Sequence, residues 1–323
     1  MASPHDDHPF SNGAFAVDLI ARFTDKLVSL QGPVLADSDP EPLHQMRVAL
    51  RRLRTCLHQF APALQLPRAV ADPRLAKTVR RLGMARDLDV LRERLEKDLM
   101  PELPEAERKA LKPVLKQLRR ERALAYEQVV STLQSGGYLK LLSQLQGWLR
   151  HPEFTPLGEL PLPGWTLEWQ APMIAGLFQH PGWFIVEQEG DMERVHDLRK
   201  RLKAARYGLE NLGAVTGSRC RQWVVELRDL QELLGELNDL NVLERAIDDQ
   251  LPSGLARSLP ALEALLDHRA QGCWEQWRQR AEGLMLPERR LSLSMALWLE
   301  RGSDSHCDSH LDSALPALAL PSP

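Results

Sequence analysis

The sequence predicts an all-α protein. Leu, Ala, Arg and Glu dominate its 323 residues, and runs in which Val, Ile or Thr recur at every second position are scarce. Hydrophobic residues make up 43% of the chain, so we expect the helices to bury a globular core. The length is enough for two lobes, each with a core of its own. A segment of the first half also recurs in the second half, which indicates an internal repeat.

The repeated segment is a basic helix that begins at Leu43 in the first copy and at Val195 in the second. Neither copy contains Pro or Gly, and strong helix formers dominate both. At about 100° per residue, the cationic side chains share one sector beside an apolar stripe. An offset of 152 residues aligns the two cationic rows. These rows are His44, Arg47, Arg51 and Arg54 in the first copy, and His196, Arg199, Lys203 and Arg206 in the second. The stripes are Leu43, Met46, Leu50, Leu53 and Leu57, and Val195, Leu198, Leu202, Ala205 and Leu209.

The charges on this helix are unlike those of a solvated surface. A solvated helical face mixes signs, with an acid three or four residues from each base, yet no Asp or Glu lies between His44 and Gln59. The whole chain has a net charge of −3, but residues 41–122 hold 20 Lys and Arg against 11 Asp and Glu. Because like charges in a row repel one another, we expect an anion to offset them.

The first half is predicted to be helical from residue 14 to residue 150. Gly32 and Pro33 are expected to stop its first helix, and Gly136 and Gly137 to break the chain before its last. The predicted helices are Ala14–Gln31, a basic helix ending near Phe60, Pro73–Met100, Glu105–Gln134 and Tyr138–Arg150. Residues 1–13 are predicted to be a disordered tail.

The second half is predicted to span residues 194–300, after a connector at 151–193 that is rich in Pro, Gly and Trp. The connector is expected to hold one short helix, Met173–Phe178. The helices predicted beyond it are the second basic helix, Leu227–Leu243, Leu259–Leu284 and Arg289–Glu300. Trp148 and Trp298 end the last helices of the two halves and are predicted to anchor the core. Residues 301–323 are predicted to be a disordered tail.

A second motif recurs at the same offset, at 82–91 and 234–243. Gly83 and Gly235 interrupt otherwise helical patterns at a cost of about 1 kcal/mol each relative to Ala. We expect them to permit close approach of two helices. Asp87 and Asp239 have two interpretations, either as catalytic acids or metal ligands, or as buried or semi-buried tethers for a neighbouring Arg or a helix end. The second interpretation is preferred.

The composition excludes several classes of protein. The four cysteines are scattered without a C-x-x-C pair, the first nine residues do not resemble a signal peptide, and no apolar run reaches about 18 residues. These features predict a cytoplasmic protein without a membrane span. Histidines in the two tails resemble metal ligands, but because both tails are predicted to be disordered we expect no metal and no cofactor.

With the basic helix at 44–54 and the Arg-Asp-Leu-Asp-Val-Leu segment at 86–91, the chain resembles the conserved-histidine α-helical domain (CHAD) family over about residues 14–300. Segments 196–203 and 234–239 look like the second half of the family pattern. The resemblance implies two four-helix bundles related by a pseudo-twofold around a basic central cavity that binds inorganic polyphosphate. Some members are fused to a CYTH triphosphatase domain. We expect this chain to be a stand-alone module.

The expected ligands of polyphosphate form two groups. Arg offers a forked set of donors to phosphate oxygens, and Lys offers a point charge. The strongest candidates match the family motif and are His44, Arg47, Arg51, Arg54, His196, Arg199, Lys203 and Arg206. Arg52 and Lys200 are expected at the mouth, and Arg81, Arg122, Lys140, Arg269 and Arg290 could complete the lining. The two histidines would bind phosphate best when protonated, or each could instead make a neutral hydrogen bond that fixes the start of its helix.

The predicted function is non-enzymatic binding of polyphosphate, with recruitment to polyphosphate granules. Nucleic acid is an alternative ligand, but no aromatic residues interleave with the basic row to stack on bases. A phosphohydrolase would use His44 or His196 with Asp87 or Asp239, although the chain lacks a P-loop and clustered carboxylates for Mg²⁺. A scaffold that only packs helices is the remaining alternative. Oligomeric state is not predicted.

Overall fold

The computed structural model describes residues 10–70, 72–186 and 191–298. Helices dominate this part of the chain and it contains no β-strand, which confirms the all-α fold. The first half contains α1 (Asn12–Ala36), α2 (Glu41–Gln59), α3 (Asp72–Glu93), α4 (Glu105–Ala110), α5 (Lys112–Gln134) and α6 (Gly136–Arg150). Then follow α7 (Thr166–Phe178), α8 (Met192–Leu212), α9 (Ser218–Asp248), α10 (Leu255–Ser258), α11 (Pro260–Leu284) and α12 (Pro287–Trp298).

Helix α1 is longer at both ends than predicted. Ser11 caps its start by accepting a hydrogen bond from the Ala14 N–H at 3.1 Å. Gly32 and Pro33 do not stop the helix, which continues to Ala36 and ends where Asp37 adopts a left-handed conformation with φ 47°. Val34 is fully buried and its carbonyl accepts a hydrogen bond from the Tyr126 hydroxyl. Tertiary packing therefore outweighs the local stop signal. Residues 1–9 of the predicted tail lie outside the described residues.

The two basic helices, α2 and α8, form the centre of the packing. Helix α2 packs against α1, α3 and α8, and α8 packs against α7 and α9. All the residues of the two predicted apolar stripes are buried, as expected. A buried set of amides joins the two helices: Asn211 Nδ2 donates to Gln59 Oε1 at 3.0 Å, and Gln59 Nε2 donates to Gln170 Oε1 at 3.1 Å. Gln59 Nε2 also lies 3.2 Å from the Gly208 carbonyl oxygen.

The long helices predicted at Pro73–Met100 and Glu105–Gln134 are both interrupted. Helix α3 passes into a π-helical turn, Arg94–Leu99, and then into a short 3-10 turn, Met100–Glu102. The second helix divides into α4 and α5 beside Leu111. Pro113 lies in the first turn of α5, and since proline has no N–H, it is tolerated there but not inside a continuous helix.

The predicted connector contains a full helix, α7, that is longer than the predicted Met173–Phe178. Its Trp169 is buried and donates from Nε1 to Asn12 Oδ1 at 2.7 Å. Gln170, which is fully buried, donates to the Ala205 carbonyl oxygen at 2.8 Å. Helix α7 therefore ties α1 to α8 and forms part of the core.

The two tryptophans predicted as core anchors differ. Trp148 is buried and its Nε1 donates to the Gln65 carbonyl oxygen at 2.9 Å, which confirms the prediction. Trp298 is 71% exposed, so the prediction for it was wrong. Residues 299–323, including the predicted C-terminal tail, lie outside the described residues. None of the described helices combines the length and the apolarity that crossing a membrane requires.

Candidate anion-binding site

Helices α2, α7 and α8 enclose a cleft of about 750 Å³. Its cationic wall comes from the two basic helices and brings together six of the predicted residues. They are Arg51 and Arg54 of α2, with His196, Arg199, Lys200 and Lys203 of α8. Positive groups that converge on one concave surface focus a positive potential there.

Lys203 of this wall is surrounded by arginines. Burial, followed by repulsion from the neighbouring guanidinium groups of Arg51, Arg199, Arg47 and Arg206, lowers the pKa of its ammonium group to about 6. Among the described residues, no carboxylate forms an ion pair with Lys203, Arg51 or Arg199. These three cations of the wall therefore have no carboxylate within ion-pair distance in that part of the chain, although the charge of Asp239 acts favourably on Arg199.

A glycine makes room for Arg199. A Cβ atom at Gly235 would lie 3.1 Å from Arg199 Nη2, which is tighter than ordinary contact. Burial lowers the pKa of the Arg199 guanidinium, and its Nε is buried without a hydrogen-bond partner in the part of the chain that is described. The first half repeats the arrangement, because a Cβ at Gly83 would lie 3.5 Å from Arg47 Nη2. At both glycines the nearest atoms belong to an arginine of the neighbouring helix, but only at Gly235 would a Cβ be crowded.

Arg47 is held by α3 and does not line the cleft. It is 6% exposed, and its Nη1 donates to the Gly83 carbonyl oxygen and to Asp87 Oδ1, each at 3.0 Å. Asp87 is therefore the predicted tether for an arginine, although its own side chain is 68% exposed rather than buried. Asp239 differs from it and accepts a hydrogen bond from Asn238 Nδ2 at 3.3 Å.

Glu210 neutralises two more of the predicted cations. Its carboxylate forms ion pairs with Arg52 of α2 and with Arg206 of α8. Arg206 is buried and also donates from Nε to Gln231 Oε1 at 3.1 Å. Neither arginine lines the cleft, because Glu210 draws both side chains towards itself. Glu210 follows Arg206 by four residues, a spacing that allows an ion pair on a helix and was the available signal for this pairing.

The two motif histidines occupy different positions. His196 lines the cleft, and its Nδ1 lies 3.0 Å from Asn238 Oδ1. Burial, followed by the charge of Lys200, lowers its pKa. His44 is exposed at the start of α2, outside the cleft lining. Partial burial and then Arg86, which the sequence interpretation did not select, lower the pKa of His44.

The five cations predicted to complete the lining lie elsewhere. Arg122 forms ion pairs with Asp37 and Asp89, and Arg269 forms one with Glu102. The other three lie on other helices and do not line the cleft: Arg81 of α3, Lys140 of α6 and Arg290 of α12. Charge alone could not separate them from the cleft residues, since their carboxylate partners and helix positions depend on tertiary packing.

Several lining residues were missed. A second wall of the cleft comes from α7 and the residue before it, and it was missed because the segment of α7 was predicted to be a connector. It contains Trp165, Glu168, Trp169, Pro172 and Met173. Helix α2 adds Thr55 and His58, and α8 adds Arg201 and Tyr207. Arg201 lies 3.9 Å from Asp197, four residues before it, and Lys200 lies 3.5 Å from the same carboxylate. The described residues contain no group of three or more His, Cys, Asp or Glu placed to hold a metal ion.

A CHAD domain model matches residues 18–248 of the chain. The chain belongs to the CHAD domain family. Two solved structures share its fold. The CHAD domain from the plant Ricinus communis has a TM-score of 0.59 and 21% identity, and the match covers 90% of this chain and 93% of that one. PptA from Streptomyces chartreusis has a TM-score of 0.62 and 18% identity, over 85% of this chain and 99% of that one. A search of curated proteins gave no match.

Proposed function

We propose that this CHAD protein binds inorganic polyphosphate along the cationic wall of the cleft. The observation that carries the proposal is the position of Lys203, half-buried among arginines with no carboxylate ion pair in the described residues. Leaving cations unpaired in a partly buried site costs stability, so a binding role for an anion explains their retention. Long chains of phosphate carry closely spaced charge and engage several of these groups at once.

The proposed contacts follow from the side chains that line the cleft. Arg51, Arg54 and Arg199 donate forked hydrogen bonds to phosphate oxygens, and Lys203 supplies a charge between them. His196 joins them when it is protonated. Lys200 lies at the exposed edge of the same wall. Arg47, Arg52 and Arg206 act in this proposal by holding the helices in place, since carboxylates already bind them.

We also propose that residues 14–150 form one half and that residues 194–300 together with α7 form the other. The two halves are related by a pseudo-twofold, with α7 as the counterpart of α1. Residues 152 positions apart face each other across the α2–α8 contact, as such a relation requires. Asn211 donates to Gln59, and Arg51 and Lys203 act on each other electrostatically. Adding 152 to Ala14 also gives Thr166, the first residue of α7.

The proposed role is binding without catalysis, with recruitment to polyphosphate granules. The pairs predicted for hydrolysis, His44 or His196 with Asp87 or Asp239, receive no support from the geometry. Asp87 binds Arg47, and His196 contacts Asn238. We therefore expect no orthophosphate to be released from polyphosphate, with or without added divalent metal.

The proposal is tested by isothermal titration of long-chain polyphosphate at two salt concentrations. Arg199→Met is expected to weaken binding about tenfold or more and to reduce its salt dependence, because one charged contact is lost. Arg119→Met removes an exposed arginine that pairs with Glu96 and should bind as the unmodified protein does. Far-ultraviolet circular dichroism checks that both variants fold.

Competition with single-stranded RNA separates the proposal from nucleic-acid binding. Long-chain polyphosphate is expected to displace labelled RNA at a far lower concentration of phosphate than RNA needs to displace polyphosphate. A folded Arg199→Met variant that binds polyphosphate normally, or a clear preference for RNA, would contradict the proposal.

A further inference from the structure

The cleft has a second wall whose chemistry does not suit inorganic polyphosphate. This wall is formed by the side chains of Trp165, Pro172 and Met173, together with Leu157 from the segment before α7. Polyphosphate has no apolar group, so contact with this wall would desolvate phosphate oxygens without a compensating hydrogen bond. A ligand that used the whole cleft would combine an anionic end with an apolar body.

Core residues hold the buried tryptophan of this wall in place. Trp169 is fixed by the hydrogen bond from its Nε1 to Asn12, and its ring centroid lies 5.1 Å from that of Phe60. Trp165 precedes it by one helical turn and is only half-buried, which leaves part of its ring free to contact a ligand. A tryptophan of this kind offers a flat surface on which a planar heterocycle can stack.

The same wall also carries one carboxylate, that of Glu168, which is exposed. A carboxylate repels phosphate but accepts hydrogen bonds from hydroxyl and amino groups. The cleft thus offers three zones: cations on α2 and α8, a flat apolar surface on α7, and an acceptor beside that surface. Its volume of about 750 Å³ lies within the usual range of small-molecule sites, about 300–1,000 Å³.

We propose that the cleft binds nucleoside oligophosphates, an inference that rests on the proposed function of the cationic wall. The phosphates lie against Arg51, Arg199 and Lys203, the base stacks on Trp165, and a ribose hydroxyl or base amino group donates to Glu168. In such a ligand each zone of the cleft meets a group of matching chemistry.

The test compares adenosine triphosphate with inorganic tripolyphosphate, which has the same number of phosphates and no nucleoside. Titrations without divalent metal should give at least about tenfold tighter binding of the nucleotide, the factor that corresponds to stacking of one base. Trp165→Ala should remove that advantage and leave the affinities for tripolyphosphate and long-chain polyphosphate unchanged. Phe184→Ala removes an exposed aromatic ring outside the cleft lining and is the matched control. It should leave the affinities for adenosine triphosphate, tripolyphosphate and long-chain polyphosphate unchanged.

The outcomes separate this inference from the proposed function. Equal affinities for the two ligands, or a Trp165→Ala variant that weakens both alike, would overturn the nucleoside site while leaving polyphosphate binding intact. If neither tripolyphosphate nor long-chain polyphosphate binds, the cationic wall is not an anion site and both proposals fail. Glu168→Gln gives a second measurement, since it should weaken binding of adenosine triphosphate but not binding of tripolyphosphate or long-chain polyphosphate.

Discussion

Lys203 illustrates the conflict between stability and binding at a single residue. An ammonium group loses hydration when it is buried, and the arginines around it add repulsion. Its pKa in the folded protein, about 6, lies far below the value of about 10.4 expected in the unfolded chain. Between these values the unfolded state binds more protons, so Lys203 opposes folding most strongly below pH 6 and ceases to oppose it near pH 10.

Replacing Lys203 with Met should therefore stabilise the protein in the absence of ligand. We expect the free energy of unfolding to rise by about 2 kcal/mol at pH 6 and to match that of the unmodified protein near pH 10. Urea unfolding at pH 6, 8 and 10 measures the difference. Lys200→Met, which changes an exposed lysine of the same helix, should have little effect at any of these pH values. A Lys203→Met variant less stable at pH 6 would contradict the assigned electrostatics.

Binding of polyphosphate should be linked to proton uptake. The anion favours the charged form of Lys203 and of His196, both of which have lowered pKa values in the free protein. Affinity should rise as the pH falls from 9 to 6, and at pH 7.5 the complex should take up protons from buffer. Titration calorimetry in two buffers of different ionisation enthalpy measures the uptake. Lys203→Arg remains charged throughout this range, so its affinity should depend less on pH.

At the scale of helices, glycine positions decide where the arginines can lie. Gly235 of α9 leaves space for the Arg199 guanidinium, whereas a Cβ at Gly272 of α11 would meet no atom within 4 Å. Both glycines lie inside helices, where alanine is favoured by about 1 kcal/mol. Replacement by alanine should therefore have different consequences at the two sites.

Gly272→Ala is expected to stabilise the protein by about 1 kcal/mol without changing polyphosphate binding. Gly235→Ala should gain less stability and should weaken binding, because the new methyl group displaces the Arg199 guanidinium. Urea unfolding and calorimetric titration of both variants test the pair. Unchanged affinity in Gly235→Ala would show that the guanidinium position does not matter to binding.

Glu210 connects α2 and α8 through its ion pairs with Arg52 and Arg206. Glu210→Gln should destabilise the protein by about 3 kcal/mol, because Arg206 would stay buried without its counter-charge. Glu226→Gln removes a more exposed carboxylate that pairs with Arg289, and it should cost less than about 1 kcal/mol. Chemical unfolding of both variants measures the contrast. Equal losses would mean that burial of the Arg206 pair contributes nothing.

The helices were predictable where the periodicity within a single helix determines which of its residues are buried. The stripes of α2 and α8 follow from helical periodicity, and both are buried as expected. Helix α7 was underestimated because Pro172 and its tryptophans resemble connector composition. The predicted end of α1 was wrong because the stabilisation from burying Val34 outweighs the tendency of Pro33 to end a helix.

The candidate site was predictable only in part, because the side chains of two helices determine it together. The basic rows were visible, but the separation of Arg51 from Arg47 depends on Asp87 of α3. Arg52 likewise leaves the lining because of Glu210 on another helix. The apolar wall required α7, which the composition of its segment concealed.

For the whole molecule, binding of polyphosphate should stabilise the folded state by mass action. At a ligand concentration of 100 times Kd, the expected gain is about 2.7 kcal/mol. Thermal unfolding followed by intrinsic fluorescence should show a rise in Tm of about 5 °C, and orthophosphate at equal total phosphate should give a much smaller rise. The rise should shrink in Arg199→Met. An equal rise with orthophosphate would indicate a general salt effect.

The buried amides between Gln59, Gln170 and Asn211 have a consequence for ligand length. Apolar helix contacts tolerate small sliding, but a slide here would leave unsatisfied amides in the core, at about 1–3 kcal/mol for each group. The two helices are thus locked in register, and the spacing between Arg51 and Arg199 is fixed with them. Because the distances between the cations are fixed, affinity should increase stepwise with the number of phosphates in the ligand. It should level off once the ligand spans the whole cationic wall.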